Sequence, residues 1–225
     1  MQFDNNRTVA VIFDTEWYVP SAQRSAGLPS LKANPAIDMH MFLGGAFLRF
    51  YPLVPSKGEE RMECFAESLD PTKEKGRLEA VYRFFKDSWN KTGGGSQHDP
   101  DLVAIGTGIS RLDLPGLYTR SLVHAVDGMA PLYETYLKTK IVDLSEVAIP
   151  YMNKKRPRML YPVTTNSIAT RFGLGTERKD SGKTVWDMAD SADFEGIRER
   201  TISEIEVLKK IYWVFVENIF SRRGP

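Results

Sequence analysis

The pentapeptide FDTEW, residues 13–17, sets the carboxylates of Asp14 and Glu16 two positions apart. Side chains of an extended segment alternate between faces, so such a pair points at one spot. Two acids that close repel each other, and a cation between them relieves the repulsion. Oxygen donors suit hard ions, so magnesium or manganese fits. The competing reading is a polar strand end that simply meets solvent, because Asp-x-Glu alone is a common sequence. Asp113 lies in IGTGISRLDLPGLYTRS, residues 105–121, shortly before Pro115. There it either caps a helix whose first turn holds the proline or stands just past a buried strand, at a sheet edge where sites are built. Glu204 is the third signal. At about 100° per residue, Ile197, Thr201, Leu208, Ile211 and Phe215 form one stripe of the last helix, with Glu204 inside it and Glu206 opposite. A carboxylate in a core-facing stripe is costly unless it is paired or bound to metal. Arg200, four residues earlier, is the alternative partner.

These residues need elements to hold them. Residues 8–13 (TVAVIF) read as a buried strand ending at Asp14. A long loop follows over residues 18–38, with Pro20, Pro29 and Pro35. Residues 41–51 (MFLGGAFLRFY) form a second strand in which Gly44 and Gly45 signal a bulge or close approach. Residues 61–66 make a third strand nearer an edge, completing an antiparallel meander. Leu78, Val81, Tyr82, Phe85 and Trp89 recur at helical spacing within residues 72–91. After GGGSQHDP come a short strand at 102–105, a helix opening at Asp113, a fifth strand at 140–144, a short helix at 165–172 and a long one at 195–220. That order predicts one α/β domain over residues 1–225, with a mixed five-stranded sheet flanked by helices.

Composition narrows the function classes. Lys and Arg total 30 against 29 Asp and Glu, so any nucleic-acid contact rests on a local patch. Cys64 is the only cysteine, which excludes an internal disulfide and a cysteine-based zinc knuckle. The N-terminal apolar run is interrupted by Asp14 and is not a signal peptide. No stretch approaches the roughly 18 apolar residues of a membrane helix. The expectation is a soluble, cytoplasmic protein.

In order and spacing, these pieces resemble the DnaQ-like 3′–5′ exonucleases of the ribonuclease H-like class, especially the branch of the proofreading domain of family B DNA polymerases. A strand ending in Asp-x-Glu matches Asp14 and Glu16. GISRLDLPGLYTR matches the second motif through Asp113, Pro115, Leu117 and Arg120. A strand ending in Asp143-Leu144 follows, then TTNSIATRFGLG, a short helix closing on Leu-Gly. RTISEIEVLKKIY aligns with the third motif and puts Glu204 at its last acidic position. The chain departs from the pattern there: Glu204 replaces an aspartate, Arg200 replaces a tyrosine that orients the attacking water, and Gly108 stands where asparagine is frequent. The resemblance implies hydrolysis of phosphodiester bonds at single-stranded DNA or RNA 3′ ends, with two magnesium or manganese ions about 3.5–4 Å apart. It makes Asp14, Glu16, Asp113 and Glu204 both catalytic residues and metal ligands, with Asp14 bridging the ions and Glu16 placing the water.

Trp17 and Tyr18 either stack on terminal bases or belong to the core. The run Asn153-Lys154-Lys155-Arg156-Pro157-Arg158, with Arg171, Arg178 and Lys179, either tracks a phosphate backbone or is a solvated loop. The changes at Glu204 and Arg200 motivate an alternative from another class, a catalytically weak or inactive nuclease-fold protein that binds nucleic acid or a protein. With no polymerase domain attached, a proofreading role would require a partner in trans.

Overall fold

The computed structural model describes residues 8–24, 33–92, 102–152, 163–174 and 183–221. Its five strands are β1 (Val9–Tyr18), β2 (Met41–Phe50), β3 (Glu59–Phe65), β4 (Leu102–Gly106) and β5 (Lys140–Asp143). Its helices are α1 (Glu74–Lys91), α2 (Asp113–Val123), α3 (Met129–Tyr136), α4 (Leu144–Val147), α5 (Ile149–Met152), α6 (Thr165–Arg171), α7 (Lys183–Asp190) and α8 (Phe194–Ser221). The sheet order is β3-β2-β1-β4-β5. β1 and β2, and β2 and β3, pair antiparallel, whereas β4 and β5 run parallel to β1. Among the described residues no helix is long and apolar enough to cross a membrane.

Strand alternation divides the core between the two sheet faces. Val9, Val11, Phe13 and Trp17 pack with Phe47 against Leu78, Val81 and Phe85 of α1, Leu114 and Leu117 of α2, and Leu132 and Tyr136 of α3. The even-numbered Ala10 and Ile12 turn the other way, onto Leu144, Ile168 and the α8 residues Ile205, Leu208, Ile211 and Phe215. Asp14 and Glu16 have the parity of Ile12, so they emerge on the α8 side. Ion pairs seat α8 from outside: Arg198 binds Glu63 at 2.8 Å, Lys209 binds Glu59 at 2.6 Å, and Arg61 binds Glu206.

β1 is longer than its composition suggests. It runs on to Tyr18, which places both acids inside the strand, because β2 stays paired with it: Asp14 opposes Ala46, Thr15 opposes Gly45 and Glu16 opposes Gly44. The Gly44–Gly45 pair permits that approach. A Cβ on Gly45 would sit 2.6 Å from the Asp14 carbonyl oxygen, and one on Gly44, whose φ is +142°, would meet the backbone of Cys64. The register then slips, with Trp17 opposite Phe42, so Phe42 and Phe47 share a face despite their opposite parity. Pairing of β1 with β4 ends at Ile12. Asp14 and Glu16 therefore stand on the stretch of β1 that continues past its pairing with β4.

Candidate metal centre

One oxygen from each of Asp14, Glu16 and Glu204 lies within 4.8 Å of the others. β1 supplies the first two from one face, and the inward stripe of α8 supplies the third. Glu16 and Glu204 are each 8% exposed, and Asp14 is half-buried. Thr201, fully buried one turn before Ile205, donates its hydroxyl to the Ile197 carbonyl at 2.8 Å and to Glu16 Oε1 at 3.2 Å. Arg200 brings Nη1 within 3.5 Å of that same Glu16 oxygen. The i−4 spacing names Glu204 as a partner of Arg200, and the fold also brings in Glu16 from β1.

Asp113 stands next to this cluster but arrives from the opposite side of the sheet. It does not cap α2: Leu112 occupies the N-cap, and no side chain caps that helix end. Its carboxylate accepts instead from the hydroxyl of Thr15, the strand residue between the two acids. Trp17 Nε1 in turn donates to Thr15 Oγ1 at 2.9 Å. Burial, reinforced by Asp14 and then by Glu16, pushes the Asp113 carboxyl up to about 8, against the opposing pull of the Thr15 bond.

The loop that delivers Asp113 is fixed from β5. Asp143, 4% exposed, accepts from the Gly108 amide at 2.9 Å, the Ser110 hydroxyl at 2.9 Å and the Ser145 hydroxyl at 2.6 Å. Gly108 turns there at a φ of +76°, in the left-handed region. Sequence reasoning marked Asp143 only as a strand end, because its loop partners Gly108 and Ser110 lie more than 30 residues back along the chain.

The remaining candidates are distributed as follows. Trp17 is 5% exposed, and its indole lies against α2, where a Cβ on Gly116 would approach it to 2.7 Å. Tyr18 is half-buried, donates its hydroxyl to Asp190 at 2.7 Å and carries the Arg24 guanidinium 5.5 Å above its ring. Lys154, Lys155, Arg156, Arg158, Arg178 and Lys179 lie outside the described residues, while Arg171 is exposed at the end of α6. α7 is an element the sequence reading left unassigned. Val185, Trp186 and Ala189 supply its buried face, and Trp186 Nε1 donates to the Trp17 carbonyl at 3.0 Å, tying α7 to the end of β1.

The donor set suits a hard divalent cation. It is all carboxylate oxygen, and Asp14 and Glu16 add to the burial that raises the neighbouring Asp113 carboxyl. No protein-family model and no curated protein matches the sequence. Among solved structures the chain is similar to the family B DNA polymerase of the hyperthermophilic archaeon Pyrobaculum calidifontis, with a TM-score of 0.51 and 16% identity over 94% of this chain. The fold is ribonuclease H-like. The chain spans 24% of that polymerase's length, and the low identity makes this a likeness of fold. E. coli exonuclease I, solved with single-stranded DNA in a zinc-bound form and with a dA16 oligonucleotide, also matches. The TM-score is 0.44 in both cases, at 12% and 13% identity, and the chain covers 44% of that protein.

Proposed function

We propose that the chain is a DnaQ-like, metal-dependent 3′–5′ exonuclease that hydrolyses phosphodiester bonds at single-stranded DNA or RNA ends, acting in the cytoplasm. The observation that carries this reading is the convergence of Asp14, Glu16 and Glu204 within 4.8 Å, just past the end of β1–β4 pairing, in a ribonuclease H-like fold.

Asp14, Glu16 and Glu204 would hold magnesium or manganese, with Asp113 completing the set from the other side of β1. When bound, two such ions supply a nucleophilic water at neutral pH and neutralise charge on the leaving 3′ oxygen. The chain's own groups do the rest. Asp14, the most open of the acids, faces the substrate. Glu16, held by Thr201, orients the attacking water and accepts its proton. Thr15 and Trp17 keep Asp113 aimed at the strand. The basic residues Lys154, Lys155 and Arg156 would carry the phosphate backbone, and Tyr18 is the aromatic nearer the surface for contact with the terminal bases. Trp17 then acts through Thr15.

The test is degradation of 5′-labelled single-stranded DNA and RNA with magnesium or manganese, and with chelator. A ladder shortening from the 3′ end only when metal is present is the expected result, and it identifies the preferred sugar. Folded protein that leaves both substrates intact with either metal sinks this reading and leaves a non-catalytic binding protein.

A further inference from the structure

Five acids among the described residues are buried: Glu16, Glu74, Asp113, Asp143 and Glu204. Glu16 and Glu204 belong to the acidic cluster, with Asp113 beside it, and Glu74 is paired with Arg120. Asp143 is held instead by neutral donors. Its Oδ1 accepts from the Gly108 amide at 2.9 Å and from the amide and hydroxyl of Ser145 at 3.1 and 2.6 Å. Its Oδ2 accepts from the amide and hydroxyl of Ser110, at 3.4 and 2.9 Å. Burying a carboxylate without a cation is costly, so packing alone does not call for one here. What a carboxylate adds is two oxygens with about four acceptor sites at one point, enough to hold two segments at once. Ser145 belongs to α4, and Gly108 and Ser110 to the turn between β4 and α2.

That turn moves as a unit. The Arg111 and Leu112 amides both donate to the Gly108 carbonyl, at 3.1 and 3.2 Å, and the Leu114 amide donates to the Ile109 carbonyl at 3.1 Å. Residues 108–114 are thus one hydrogen-bonded piece, hung on Asp143 at its start and carrying Asp113 near its end. We infer that Asp143 is a positioning residue for the proposed hydrolysis: it fixes this turn against β5 and thereby sets where the Asp113 carboxyl meets Thr15. Both of its oxygens are engaged by protein donors, so it acts through Asp113 and ligates no ion itself. The role depends on its acceptor atoms rather than on its charge. Asparagine keeps the oxygen that holds Gly108 and Ser145, and its amide can donate to the Ser110 hydroxyl; alanine releases both segments. This inference rests on the exonuclease reading above.

The test compares wild type, Asp143→Ala, Asp143→Asn, Asp113→Asn and the double variant Asp113→Asn/Asp143→Ala, each checked for folding by circular dichroism. Ser110→Ala, which removes only the hydroxyl on the turn, takes the place of Asp143→Ala if that variant does not fold. Two readouts are taken. The first is the indole N–H resonance of Trp17 in ¹⁵N-labelled protein with chelator, assigned through Trp17→Phe. It reports on Asp113 without metal or substrate, because Trp17 donates to Thr15 and Thr15 to Asp113. The second is 3′-nucleotide release from single-stranded substrate with manganese in excess. Asp143→Ala should shift the resonance and lower kcat on the order of 10²-fold with KM unchanged, while Asp143→Asn stays close to wild type in both. In the Asp113→Asn background the alanine should cost nothing further. Wild-type kcat in Asp143→Ala, an unmoved Trp17 resonance, an equal loss in Asp143→Asn or a further loss in the double variant each overturns the inference and leaves the exonuclease reading standing. No cleavage by folded wild type overturns both.

Discussion

At the scale of single residues, Asp113 yields the most direct consequence. Its carboxyl is raised by burial and by the neighbouring acids, from the ordinary 3.8 to about 8. A carboxyl raised in this way favours the folded state while it is protonated. The metal-free protein therefore loses stability as pH rises through the window between these values, by up to about 1.4 kcal/mol per pH unit. Calorimetry in chelator at pH 6 and pH 9 should show a lower Tm at pH 9. Asp113→Asn should shrink that difference, at about 2–4 °C per kcal/mol; an unchanged difference would mean that Asp113 is not the group responsible. The acids themselves were legible in the sequence. Alternation puts Asp14 and Glu16 on one face wherever the strand ends, and the helical stripe carries Glu204 inward. Thr15 was not, because its role as the Asp113 partner depends on α2 crossing the opposite face of β1. The Arg200 contact with Glu16 was not legible for a related reason: local spacing names residues on its own helix, and Glu16 belongs to another element.

At the scale of elements, the segment of residues 35–38 leading into β2 is held by a charge pair inside the protein. Glu74 at the start of α1 accepts from Arg120, from the Phe42 amide at 2.7 Å and from His124 at 3.1 Å, while Arg120 reaches the Ile37 and Asp38 carbonyls. Removing one member leaves an uncompensated buried charge. Arg120→Ala should therefore destabilise the protein by about 3–5 kcal/mol, measured by chemical denaturation; a loss under about 1 kcal/mol would contradict the clamp. Gly44→Ala should also destabilise, since its Cβ meets the β3 backbone, and with it the approach of β2 that extends β1 past Asp14. The strand meander, α1 and α8 were readable because period and length agree over each run. The extension of β1 was not, because it is set by glycines on the facing strand rather than by its own residues. α7 escaped because its apolar face is only Val185, Trp186 and Ala189 in a short segment rich in polar residues.

At the scale of the whole molecule, acids from β1 and α8 meet, with α2 adding Asp113 from across the sheet, so metal binding and folding should be linked. We propose that residues 1–225 unfold as one unit. Manganese at about 100 times its Kd should then stabilise that unit by about 2.7 kcal/mol, visible as one transition moved up by about 5–10 °C and unmoved in Asp14→Asn. Two separate transitions would contradict a single unit. With near-zero net charge overall, substrate grip should depend on the basic stretches 154–158 and 178–179. Salt-sensitive binding that survives neutralising them would contradict this. The central claim is that Asp14 lies at the chemistry. The rate of 3′-nucleotide release from single-stranded substrate, with manganese in excess, measures it directly in wild type and in folded Asp14→Ala. A fall on the order of 10³-fold is expected, and release by Asp14→Ala at the wild-type rate would contradict it.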